Sequence, residues 1–118
     1  MGYWQDGTNT DSTWYENDGS ENFTQHVITT DADFAKYVTA IDLDSDGDID
    51  VLNTIGHIDK IVWYENDGAA NPSFSVSTVT TSADSPGAVY AEDIDSDGDI
   101  DIISASFNDD KIAWYEND

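Results

Sequence analysis

Two stretches of the chain concentrate carboxylates at a spacing suited to one task, the holding of a hard cation. Asp42–Asp50 reads D-L-D-S-D-G-D-I-D, and Asp93–Asp101 reads D-I-D-S-D-G-D-I-D. Numbered from the first aspartate, positions 1, 3, 5 and 9 are Asp42, Asp44, Asp46 and Asp50, repeated as Asp93, Asp95, Asp97 and Asp101. Ca²⁺ takes six to eight oxygen ligands at about 2.3–2.6 Å, and carboxylates alternating along a tight loop supply them. Gly47 and Gly98 at position 6 allow the sharp turn that returns position 9 to the ion. Position 7, Asp48 or Asp99, is expected to complete the set through its backbone carbonyl, leaving its side chain in solvent.

A bare acidic turn is the alternative. Two carboxylates about 4 Å apart repel by about 4 kcal/mol at an effective dielectric of about 20. Five acids in nine residues, twice over, disfavour a compact loop without a counter-ion. The expectation is therefore two Ca²⁺ sites per chain. Mg²⁺ accepts fewer protein ligands and stricter geometry, and an all-oxygen set does not suit zinc or copper. An EF-hand needs a bidentate Glu at position 12 and flanking helices. Position 12 is Asn53 or Ser104 here, and the flanks are β-branched. Dockerin-type loops fail at the same position. Carboxylates fill each loop and neither contains His, so the metal is expected to be structural and the chain not an enzyme.

The elements that position these loops repeat with them. Trp-Tyr-Glu-Asn-Asp occurs at 14–18, 63–67 and 114–118, spacings of 49 and 51. AIDLDSDGDIDVL at 40–52 returns as AEDIDSDGDIDII at 91–103, and FTQHVITT at 23–30 resembles FSVSTVTT at 74–81. Internal periods of this length mark repeat architectures. Apolar residues run at period two or in β-branched clusters bounded by Gly, Asn, Asp and Pro. They predict strands at about 36–42 and 87–93, 49–54 and 100–105, 60–65 and 111–116, and 23–29 and 74–80. Pro72 and Pro86 are placed between strands. Four strands per unit of about 50 residues suit a blade of a β-propeller; a β-helix repeats faster, and a sandwich does not explain the period. The expected fold class is thus all-β, blades of four antiparallel strands, about 2.4 per chain.

With these residues in view, the sequence resembles the FG-GAP-like or VCBS-type repeat family, carried by the two loops and by the repeated D-K-I-x-W-Y-E-N-D segment. The resemblance runs from Thr13 to Asp118 and implies integrin-like propeller blades with calcium in the loop between inner strands. On this reading 1–118 is a partial propeller. Residues 1–30 form an incomplete first blade, 31–81 a blade with the first loop, and 82–118 a blade with the second loop but no outer strand.

Each Trp-Tyr pair is expected to pack, one ring between blades and the other on the opposite face. Tyr3, Trp4 and Phe107 lie outside the motif and are the better ligand-contact candidates. His26 and His57 do not recur and are read as surface or structural. No nucleophile motif, P-loop or paired carboxylate outside the loops suggests catalysis.

Composition excludes several partners. A net charge of −23, three lysines and no arginine leave nothing to bind nucleic-acid phosphates, nor an anionic membrane surface. No stretch suits membrane insertion, and residues 1–20 lack the apolar core of a signal peptide. The chain has no cysteine, and Asn22-Phe23-Thr24 is its one glycosylation sequon. Aromatic content of 12% argues for a folded core despite the acidity.

Propellers close with about four to eight blades, so either several copies complete one ring or the chain is a piece of a longer protein; a homo-oligomer completing a ring is the expectation, with an outer strand donated by the next subunit as closure. The leading expectation is an extracellular or cell-surface binding or adhesion module, of bacterial secreted type, with a glycan or protein ligand. A propeller piece of a secreted carbohydrate-active enzyme such as a polysaccharide lyase is the second, and a structural spacer the third.

Overall fold

The computed structural model describes residues 11–118. Tyr3, Trp4 and most of the part of the first unit before β1 lie outside the described residues. Nine antiparallel strands follow one another: β1 Ser12–Asn17, β2 Phe23–Thr29, β3 Ala35–Ile41, β4 Asp50–Ile55, β5 Lys60–Asn66, β6 Phe74–Thr80, β7 Pro86–Glu92, β8 Asp101–Ser106 and β9 Lys111–Tyr115. They form three sheets in sequence order, β1-β2, β3-β4-β5-β6 and β7-β8-β9. No helix occurs among the described residues, and none is long and apolar enough to cross a membrane.

The expected strands lie within two residues of their observed bounds. One was missed: β1, whose Trp-Tyr-Glu-Asn is the same stretch that makes β5 and β9. Pro86 is a correction, since it opens β7 instead of preceding it. It is tolerated because β7 is an edge strand and its ladder shifts register between Pro86 and Ala88, so the missing N–H interrupts nothing. β3 carries the same irregularity between Ala35 and Tyr37.

Strand alternation sends successive side chains to opposite faces, and the second sheet uses both. Leu52 and Ile61, with Trp63 beside them, face the third sheet, meeting Val89, Ala91 and Ile102. Val51, Val62 and Tyr64 face the other way, where Ile28 of the first sheet packs. Both rings of the Trp63–Tyr64 pair are therefore packed, as expected. In the third sheet Tyr115 packs against the core while Trp114 is about half exposed. In the first sheet Tyr15 is exposed, and Trp14 stacks on His26 at 4.5 Å between ring centroids. Nε2 of His26 also meets Glu16 Oε2 at 2.9 Å. His57 tilts against Phe34, and Phe107 is largely exposed.

The Asn-Asp pair of the repeated pentapeptide closes hairpins. Asn17 Oδ1 accepts the Gly19 N–H at 2.9 Å and Asp18 Oδ1 the Ser20 N–H at 2.7 Å. In the second sheet Asn66 Oδ1 accepts from Gly68 at 3.0 Å and Asp67 Oδ1 from Ala69 at 3.1 Å. Such side chains satisfy turn amides that no ladder can reach. The amide of Asn22 holds the Asp18 carboxyl below the ordinary carboxylate range, and the Ser73 backbone N–H does the same to Asp67. A carboxyl depressed in the folded state contributes stability that is fully present above the unfolded value of about 3.9. That contribution is lost as pH falls through the lower folded value. Replacing Asn22 with Ala should move Asp18 back toward the ordinary value in a carbon-detected NMR titration while leaving Asp67 where it is.

Candidate metal centre

Each acidic loop joins the first two strands of a sheet, and the ladder fixes its ends: Ile41 pairs with Asp50, and Glu92 with Asp101. Asp50 is fully buried. Its Oδ2 accepts the Leu43 N–H at 3.1 Å, and its Oδ1 accepts the Asn66 N–H at 2.8 Å from the end of β5. Asn66 in turn donates its side-chain amide to the Ile49 carbonyl at 3.0 Å. The second loop repeats the arrangement. Asp101, also fully buried, accepts from Ile94 at 3.1 Å and Asn117 at 2.9 Å, while Asn117 donates to the Ile100 carbonyl at 3.1 Å. The Asn117 N–H is the main cause of a lowered Asp101 pKa. The two asparagines were missed as site residues. Their constant distance of 16 positions from Asp50 and Asp101 was the available signal.

The remaining geometry belongs to the turn. Asp42 accepts from Asp46 at 3.1 Å through Oδ1 and from Gly47 at 3.0 Å through Oδ2; Asp93 accepts from Ser96 at 2.7 Å and Gly98 at 3.1 Å. Gly47 and Gly98 sit at φ of 100° and 103°. A Cβ at either would meet nothing within 4 Å, so backbone conformation alone calls for glycine there.

The structure brings together positions 1, 3 and 9. Asp42, Asp44 and Asp50 offer carboxylate oxygens all within 4.8 Å of one another, as do Asp93, Asp95 and Asp101. Asp46 and Asp97, expected as ligands, are outside these groups; each turns its carboxylate to the N–H two residues on, Asp48 and Asp99, at 2.9 Å. Of the two residues at position 7, Asp99 is exposed as expected, but the half-buried Asp48 lies over Gly68, where a Cβ would overlap its carboxylate.

The donor set suits a hard divalent cation: three carboxylates at one point, all oxygen, at the mouth of a tight loop. Its electrostatics point the same way. Loss of solvent around Asp44 and Asp95, reinforced by the neighbouring carboxylates, raises both pKa values. The ionised loop thus lacks positive charge.

Comparison with known protein families, with characterised proteins and with solved structures yields no match to this chain. The site is therefore defined by its own geometry.

Asp50→Ala strands the Leu43 and Asn66 N–H groups beside a new void. A loss of about 2–3 kcal/mol is expected, read as a lowered denaturation midpoint in chelator. Asp44→Ala removes an exposed carboxylate whose ionisation its neighbours oppose, so that midpoint should not fall and should rise slightly at neutral pH.

Proposed function

We propose that this chain is a calcium-binding repeat module of the FG-GAP-like or VCBS type, its sheets being propeller blades and its metal structural. One observation carries the reading. Two loops 51 residues apart independently gather the same three carboxylates around the same buried aspartate. Repetition of a convergent acidic group in register is a poor outcome for chance surface charge. Asp42, Asp44 and Asp50 would hold one ion, and Asp93, Asp95 and Asp101 the other. Further oxygens would come from the loop backbone and solvent. The bound ion supplies positive charge that lets all three carboxylates ionise together. It also clamps the loop to the start of the next strand.

The biological role that suits this module is extracellular binding or adhesion, with a glycan or protein held by loops whose shape the ion fixes. Support comes from the acidity, which disfavours polyanion partners, and from loops that hold neither His nor Cys beside their carboxylates.

The sign of the pH effect follows from the raised Asp44 and Asp95. Without metal, their ionisation opposes folding as pH rises above the ordinary carboxylate range. Calcium should reverse that penalty. Isothermal titration should find two Ca²⁺ per chain. A hundredfold excess over Kd should raise stability by about 2.7 kcal/mol per site. Asp44→Ala and Asp95→Ala should each remove one site, and the double variant should melt at the same temperature with calcium as with EDTA. An unchanged melting temperature for the parent chain on adding EDTA to the calcium-loaded protein overturns the reading.

A further inference from the structure

We propose that a second copy of this chain docks head-to-tail on the third sheet, giving its β2 to the open edge of β9 and laying its own second sheet on the face that carries Ile112. This rests on the blade reading above and does not require the calcium reading, although cations held in the loops would lower the repulsion between copies.

The chain already contains the contact in question, once. Leu43, Leu52 and Ile61 of the second unit meet Val89, Ala91 and Ile102 of the third. Polar bonds stitch the rim: Asp59 accepts the Ala83 N–H on its carbonyl at 3.2 Å and the Ser85 N–H on Oδ1 at 2.9 Å. Lys36 Nζ donates to Ser85 Oγ at 2.6 Å.

Shifting by 51 residues regenerates both halves of that contact, the receiving half uncovered and the entering half only in part, since Val51, in the place of Ile102, is buried in the cluster that Ile28 of β2 covers. On the receiving side Leu43 and Ile61 become Ile94 and Ile112, with exposure rising from 5% to 38% and from 0% to 77%. On the entering side Val89 becomes Val38, from 2% to 61%. Apolar residues replace apolar ones at each of these positions, so the receiving face and the face that β1 and β2 now partly cover are shaped for each other. The backbone is also prepared. Asp110, in the place of Asp59, has φ of 52° against 58°, and Phe34, in the place of Ser85, has 58° against 55°.

Exchange of β2 is what makes the docking possible. Within one chain β1 and β2 stand before the second sheet, Ile28 packing on it as Val79 of β6 packs on the core shared with the third sheet. A docked third sheet needs that place, with β9 where β1 now lies. β1 and β9 are interchangeable for β2, because both present Trp-Tyr. Thr13, Trp14 and Tyr15 pair with Val27, His26 and Gln25, and Ala113, Trp114 and Tyr115 offer the same register. The product, β7-β8-β9-β2, has the strand order of the second sheet. Residues 30–34 then carry the incoming chain onto the new face as 81–85 carry β7 onto the second sheet. Strand exchange replaces one pairing with an equivalent one, so the apolar faces are the net gain. The charge of −23 on each copy opposes association, and salt should promote it.

The test uses the full chain. Sedimentation velocity over a concentration series in moderate salt should show species at multiples of 12.9 kDa. Ile112→Asp should abolish them without altering far-ultraviolet dichroism or the melting temperature. In a Val27→Cys, Ala113→Cys variant, oxidation of the otherwise cysteine-free chain should give interchain disulfides and a ladder on non-reducing gels. Thr13→Cys with Val27→Cys reports the unexchanged pairing as an intrachain bond. A parent chain that melts cooperatively but stays monomeric overturns the proposal. So does association in which the Val27→Cys, Ala113→Cys variant forms no interchain disulfide, since another surface is then in use. Association without a calcium effect on melting removes only the calcium reading, and calcium binding by a strict monomer removes only the docking.

Discussion

The buried carboxylate at the start of the second strand of each loop-bearing sheet is the constraint around which the rest is arranged. Asp50 receives one N–H from the loop it closes and another from the end of the neighbouring β5. A buried charge is tolerated only when its lone pairs are filled, and these bonds fill one on each oxygen. They also leave one carboxylate oxygen within 4.8 Å of those that Asp42 and Asp44 offer. Folding and the proposed ion binding would therefore use the same group. The cost of burying Asp50 is offset partly by backbone donors, and the remaining negative potential would favour a cation in the loop.

This arrangement accounts for the pentapeptide as well as the loop. Its Trp and Tyr alternate across β5 to pack both faces of the sheet, its Asn lends a backbone N–H to Asp50 and a side-chain amide to Ile49, and its Asp caps the next turn. A five-residue signature thus couples core packing, the acidic loop and the hairpin. Only at Asn17 is the loop partner absent among the described residues, and there the asparagine keeps just its turn role.

Much of the fold was legible because alternation and turn residues are local signals, readable without knowing what lies opposite. The strands fell within two residues for that reason. β1 was overlooked although it carries the repeated motif, since Ser12 and Thr13 replace the apolar residues that precede Trp63. Pro86 was misplaced because edge position is a property of the assembled sheet. At the loop, spacing identified the acidic set but could not separate a carboxylate turned to the centre from one turned to its own backbone. Asp44 and Asp46 are alternate residues of one turn. Both accept the N–H two residues on, Asp44 from Asp46 at 3.2 Å and Asp46 from Asp48 at 2.9 Å, and what sets Asp44 apart is a carboxylate oxygen within 4.8 Å of those of Asp42 and Asp50. Asn66 escaped because its contribution is mainly a backbone N–H, which residue type does not announce.

The same repetition that specifies the sheets also constrains how a stack of them can end. A unit whose two faces are both apolar has no side designed for water, so each sheet in a stack depends on a neighbour at either side. The second sheet has both neighbours, and its β4 and the centre of β5 are buried, while Val38 on β3 stays exposed. The third sheet inherits the same apolar positions with one neighbour, and Ile112 and Trp114 stand exposed. Closed propellers resolve this by bringing the last blade to the first. An acidic chain has a second means of restraint, because like charge keeps apolar faces of separate molecules apart until cations neutralise the loops. Occupancy of the acidic sites would then act at two scales, fixing the loop within a sheet and lowering the repulsion between sheets that belong to different copies.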